Sequence, residues 1–201
     1  MRIESERLVI TILKIEDAFD MRKWGLHTNS LFDDYNFPFD KDEEVKRWFK
    51  YKTYTIKNKY FSVKNKNGEL VGYLGIKKRS FIRKSSFLGI VFDPNNLDKG
   101  YGTESLSAFL DYYFTRMRMK VMYLEVAEFN LRAISLYEKL GFKKIGYYLD
   151  YYPNQDLDLE GKDFIEAKSS FVIDDKKIYN YIYKMKLDKD TFLNTKKGDE
   201  E

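Results

Sequence analysis

The chain has no cysteine, a single histidine, only three prolines, and no apolar run long enough to cross a bilayer in its 201 residues. Without cysteine there are no disulfides, thiolate zinc sites or thiol nucleophiles, and one imidazole cannot build a histidine-rich metal cluster, so no metal is expected. That histidine, His27, falls in WGLHTNS near the end of a predicted first helix. A polar surface residue is the usual occupant of such a place, and a general base the rarer one. The N-terminus MRIESERLVI lacks the charged-then-apolar pattern of a secretory signal. A cytoplasmic protein with no membrane partner is expected. Charge of one sign is also lacking. The 36 basic residues are spread along the chain and nearly matched by 32 acidic ones, which argues against a nucleic-acid partner.

What is present is 43% apolar content, enough to fill the core of one α/β domain. Alternation over Leu8 to Leu13 predicts a strand. Ile15 to Trp24 and Glu43 to Trp48 predict two helices joined by a polar, proline-containing connection. In YFSVKNKNGELVGYLGI, two β-rich runs flank Asn67-Gly68, a pair suited to a tight hairpin with positive φ at both central residues. Ser86 to Phe92 is a buried-strand pattern interrupted by Gly89, where a bulge or close backbone approach is expected. A helix follows from Gly102, then a strand over Val121 to Val126. The next helix is capped by Asn130 and stopped by Gly141, and a strand runs from Lys143 to Leu149. The last strand, KIYNYIYKMKL, puts Tyr179, Tyr181, Tyr183, Met185 and Leu187 on one face. No internal repeat or interdomain linker is visible. A single domain is expected over residues 1–187, with an extended functional loop or added substructure at about 152–177 and a frayed tail at 188–201.

The stretch LDKGYGTESLSAFLDYYF sets Gly100 and Gly102 at the mouth of a helix. Strand, glycine loop, helix is an order that aims backbone N–H groups and the positive helix end at an anion. Both glycines would permit left-handed backbone and remove Cβ atoms that hold a pyrophosphate away from the amides. The plain alternative is a turn. The lysine-serine or lysine-threonine ending of an ATP-binding loop is missing.

Asp93-Pro94 with LDKGYG, then LEVAEFN, then NLRAISLYEKLGF resemble the GNAT acetyltransferase superfamily in order and spacing. ESERLVITILKIEDAF is similar to the N-terminus of the branch containing ribosomal-protein N-terminal (RimJ/RimL-like) and spermidine acetyltransferases. The resemblance covers about residues 4–150 and, more loosely, the last strand. It implies a mixed, mostly antiparallel sheet splayed between two parallel strands, with helices on both faces. It also implies acetyl-coenzyme A as donor, its pantetheine along Ile90, Val91 and Phe92. The pyrophosphate would lie on Asp98, Lys99, Gly100, Tyr101, Gly102 and Thr103, with Asn130 near the pantetheine arm. The family's Gln or Arg three positions before the first glycine is Leu97 here, and Asp98 sets a carboxylate beside phosphate. Either Lys99 compensates or affinity is weak, so a coenzyme-binding module without turnover is the alternative reading.

Tyr137 matches the family position facing the coenzyme sulfur. A phenol near pKa 10 donating to a thiolate of pKa near 8.5 is uphill by roughly 2 kcal/mol, so a hydrogen bond is the expected role. On its helix stripe alone Tyr137 would be core. Glu125 matches a glutamate that is a general base through water in some members and structural in others. By alternation it points either into the split or into solvent. A main-chain N–H around Ile90 to Phe92 would hold the oxyanion. The acceptor walls implied by the resemblance contain residues 33–44 and 150–166, each with six acids and one lysine. If both line one mouth, a cationic amine is expected, such as a polyamine, an aminoglycoside or a protein N-terminus; otherwise they are solvated loops. A homodimer is a further expectation.

Overall fold

The computed structural model describes residues 1–198. Among these, nine strands form one sheet: β1 (Arg2–Glu4), β2 (Leu8–Ile12), β3 (Lys59–Asn65), β4 (Leu70–Ser80), β5 (Ser85–Phe92), β6 (Val121–Ala127), β7 (Lys143–Tyr151), β8 (Phe171–Asp174) and β9 (Lys177–Asp188). The spatial order is β1-β2-β3-β4-β5-β6-β9-β7, with β8 also on β9. Every pairing is antiparallel except β5 with β6. The helices are α1 (Ile15–Asp20), α2 (Asp42–Thr53), α3 (Tyr101–Thr115), α4 (Leu131–Lys139), α5 (Lys162–Ala167) and α6 (Lys189–Gly198). The mixed sheet with helices on both faces is the architecture expected.

Strand alternation sorts the sheet into two unlike faces. Phe61, Leu74, Ile76, Leu88, Leu124 and Met185 point to one face, where they meet Phe109, Leu110 and Phe114 of α3 and Ile134 of α4 in the main core. Tyr60 and Tyr73 point to the other, where α1 and α2 close a smaller core with Leu13, Met21 and Trp48. The third cluster joins Leu31 to Tyr152, Leu157, Phe164, Phe171 and Ile178.

Several expectations need correction. The first helix is α only to Asp20 and tightens to a 3-10 turn at Met21–Lys23. At the hairpin only Gly68 takes positive φ, at 86°, because the loop closes with Gly68 N–H on the Asn65 carbonyl and not as a two-residue turn. Gly89 is no bulge, since it pairs in register with Gly75, and the irregularity of β4 and β5 lies beyond Lys77. Of the two readings of the 152–177 stretch, a bare loop is set aside in favour of added substructure, for it contains α5 and β8. Nor does residue 188 begin a frayed tail. Asp188 ends β9 and caps α6 by accepting from the Thr191 N–H at 3.0 Å, and α6 buries Phe192 in the main core. Residues 199–201 of that expectation lie outside the described ones. No described helix is long and apolar enough to cross a membrane.

Candidate active site

The site begins where β5 and β6 part. Their parallel pairing covers only Ser85 to Phe87 against Val121 to Tyr123 and then stops. Asp93 N–H bonds to Val71 O on β4, and the Lys84 carbonyl accepts from the β6 side, so even-numbered residues turn their main-chain groups toward β6. The last parallel pair, Phe87 with Tyr123, uses the Leu88 N–H, so the Leu88 carbonyl and the N–H and C=O groups of Ile90 and Phe92 face the split unpaired. The strands diverge, and no bulge is needed to expose them.

At the end of β5, Gly100 caps α3 with φ 77°. Tyr101, Gly102 and Thr103 precede the first intrahelical bond, from Glu104 N–H to Gly100 O, so their amides point out of the helix start. Gly102 is not left-handed as expected, because it sits inside the first helical turn. A Cβ there would come 3.3 Å from Leu136 Cδ2 and 3.6 Å from Phe92, which makes it a space-saving glycine between α4 and β5. The turn is braced by a residue that the sequence reading missed. Glu104 accepts from Ser5 Oγ and from Arg7 N and Nε, each at 2.7 Å, while Arg7 Nη1 donates to Lys99 O at 2.9 Å. Burial pushes the Glu104 carboxyl up, but these donors outweigh it and hold it below the usual range. Arg7 also lies over the Tyr101 ring.

A cavity of about 960 Å³ runs from this helix start through the split. It is lined by Ile90, Val91, Phe92, Asp98, Gly100, Tyr101, Gly102, Thr103, Glu125, Asn130 and Tyr137, which is every expected site residue except Lys99. Lys99 instead donates to Asn96 Oδ1 at 2.8 Å. The cation beside the loop is Arg132, whose Nη1 is 3.3 Å from Asp98 Oδ1 on a side chain that is 80% exposed. Asn130 accepts from Ala133 N–H and caps α4. Tyr137 is 7% exposed, and burial, with a smaller push from Tyr35, raises its phenol well above the ordinary value. It stays protonated, a donor at any physiological pH.

Asp93 ties a covering strap to the site. Its buried carboxylate accepts from Gly25 N at 2.9 Å, Asn95 N at 3.0 Å and Asn96 Nδ2 at 2.8 Å. The strap carries His27 into the cavity wall, packed on Phe32 and Tyr35. The surface reading of His27 is thus overturned, because the pinning of Gly25 turns this connection over the split. Burial first, then Arg132, lowers its pKa against an opposing pull from Asp33.

The cavity wall also holds Glu125, Tyr60, Tyr73, Lys52 and Lys77, of which Tyr60 and Tyr73 lie on the sheet face covered by α1 and α2. Glu125 resolves the open alternation, lining the cavity from an exposed position. Of the two acidic stretches only Tyr35 lines the cavity. The 150–166 stretch instead meets the segment just before the first, with Asp163 Oδ2 accepting from Ser30 N and Tyr152 O–H donating to Leu31 O. Tyr152 and Phe164 are buried in that junction beside Leu31, which turns the segment away from the split.

A sequence profile described as Acetyltransferase (GNAT) domain matches residues 7–143. The chain belongs to the GNAT acetyltransferase family. The spermidine N(1)-acetyltransferase of Vibrio cholerae is 26% identical to this GNAT protein over 113 residues, 56% of this chain and 65% of that one. The N-alpha-acetyltransferase of Saccharolobus solfataricus is 37% identical over 84 residues, 39% of this chain and 50% of that one. The GNAT chain thus spans under two thirds of the length of these curated relatives. Among solved structures, spermidine N-acetyltransferase from Vibrio cholerae in complex with CoA and spermine superposes with TM-score 0.70 at 19% identity, covering 94% of this chain and 100% of that one. A chimera of that enzyme also gives TM-score 0.70 at 19% identity, covering 93% and 98%.

Proposed function

We propose that this GNAT protein is an acetyl-coenzyme A-dependent N-acetyltransferase that moves the acetyl group directly to a primary amine within a ternary complex. The observation that carries it is one continuous cavity joining the open amides of α3 to the unpaired main chain of β5 and the Tyr137 phenol. The residues fit such a donor. The bare backbone at Gly102 leaves room that a Cβ would fill, and the first-turn amides with Arg132 suit a pyrophosphate. The carboxylate expected to repel phosphate is already engaged by Arg132, which weakens the case for a module without turnover.

Glu125 takes the amine's proton through water. The neutral nitrogen then attacks the thioester carbonyl carbon while the main-chain N–H of Ile90 or Phe92 stabilises the oxyanion. The carbon–sulfur bond breaks, Tyr137 donates a hydrogen bond to the departing thiolate, and the thiolate takes up the second proton, which the nitrogen sheds on becoming an amide. Acetyltransferase names among the relatives support an amine acceptor.

The test is thiol release from acetyl-coenzyme A with a panel of spermidine, an aminoglycoside, amino acids and N-terminal peptides. Acceptor-dependent release, with an acetamide found by mass spectrometry, is the expected result. Coenzyme binding without release from any acceptor would leave the non-catalytic module standing.

A further inference from the structure

Two lysines stand in the acceptor side of the cavity without a counter-ion. Lys52, near the end of α2, lays its ammonium 5.5 Å from the Trp48 ring centroid and 5.6 Å from that of Tyr60. Lys77, from β4, crosses the neighbouring strand, with its Nζ 3.4 Å from where a Cβ on Gly89 would stand. Both are partly buried, and neither makes an ion pair or a hydrogen bond among the described residues. Burial pulls both ammonium groups below the ordinary lysine value. Lys77 adds to the effect at Lys52, while Glu125 only partly offsets it at Lys77. Half-buried unpaired cations are costly, and a binding partner that brings negative charge removes the cost.

That negative charge is not the coenzyme's pyrophosphate. Gly89 lies three residues before the end of β5, about 10 Å along an extended strand from the loop that leads to α3. The phosphate end has its own donors in the α3 amides and Arg132. Among the described residues, Glu125 is the only carboxylate of the cavity wall on the lysine face, and the reaction needs it for the amine. Nothing from the acidic 150–166 stretch reaches this wall.

We infer that the acceptor is an amine that also carries an acidic group, with Lys52 and Lys77 holding its carboxylate or phosphate while Glu125 faces its amine. The inference rests on the acetyltransferase reading and sharpens it to a substrate class. It sets this GNAT protein apart from a polyamine enzyme. A second ammonium on the acceptor would meet Lys77, and like charges at that range repel. The aromatic rings of Tyr60 and Tyr73 serve the methylenes between the two ends.

Matched acceptors of equal length decide it. 5-Aminopentanoate and 3-aminopropyl phosphate should be acetylated with kcat/KM at least about tenfold above 1,5-diaminopentane, the worth of one charge-assisted hydrogen bond. Whichever acid is preferred identifies the anion. K52Q and K77Q should each lose about tenfold on the acids and gain on the diamine, whereas K77R should keep the wild-type preference. A wild-type preference for the diamine, or lysine variants that lower all acceptors equally, would overturn the inference while leaving acetyl transfer intact. If no acceptor is turned over, the acetyltransferase reading fails. The charge claim is then decided by calorimetry with coenzyme A bound: pentanoate binding that K77Q abolishes upholds it, and pentylamine binding more tightly than pentanoate refutes it.

Discussion

Tyr137 shows how one side chain holds two burdens. It shares its helix stripe with core residues, yet it borders the cavity, and burial keeps its phenol protonated. Replacing Tyr137 with Phe keeps the packing and removes only the hydroxyl. Turnover is expected to fall about 100-fold, the cost of one lost donor in a preorganised site, while calorimetric affinity for coenzyme A stays within about twofold. His27 carries a pH prediction. Its folded pKa is lowered, so between that value and the unfolded one near 6.5 the unfolded chain binds more protons, and stability rises with pH. Stability is therefore full above about pH 6.5 and declines as pH falls through the folded pKa. Between about pH 7 and pH 5, melting temperature should drop less for His27→Asn than for the parent. Glu104, whose pKa is lowered from an ordinary value of 4.5, accounts for losses only at lower pH.

At the scale of elements, the start of α3 separates two glycines that look alike in the sequence. Gly100 needs a left-handed backbone, and a Cβ would also press to 3.2 Å from Arg7 Nη2. Gly100→Ala is expected to cost about 1–2 kcal/mol of stability in urea unfolding. Gly102 is helical, where alanine is intrinsically better by up to about 1 kcal/mol, and that gain offsets the tight contact with Leu136. Gly102→Ala should leave stability within about 1 kcal/mol of the parent, yet weaken coenzyme binding about tenfold, because the new methyl presses on Leu136 and Phe92 in the cavity wall beside the first-turn amides. Loss of stability in both variants, with unchanged affinity, would assign both glycines to folding alone.

For the molecule as a whole, the helix after the last strand belongs to the fold. Phe192 is 3% exposed and packs on Phe114 with ring centroids 5.4 Å apart. Phe192→Ala should destabilise by about 3–5 kcal/mol, read as a shift in urea midpoint with unchanged slope. A merely frayed segment would show almost none. The wider electrostatics also belong to this scale. The chain is near neutral by residue count, yet the cavity wall carries Lys52, Lys77, Arg132 and Lys139 against Asp98 and Glu125.

Local order by itself determined much of this protein. The period of apolar residues marked most strands and the long helices, Asn130 and Gly141 marked the two ends of α4, and the glycine loop marked the anion end of the site. Each of those signals depends on neighbours within a few residues, which is why sequence carries them. Arg7 bracing Glu104, Asp93 drawing the His27 strap over the split, and Lys77 reaching across Gly89 join residues distant in the chain. Only the sheet's strand order brings them together. The acidic stretches taught the same lesson in reverse. Their composition was plain in the sequence, but the direction of 150–166 was set by Tyr152 and Phe164 burying with Phe171 against Leu31, a packing choice made in three dimensions.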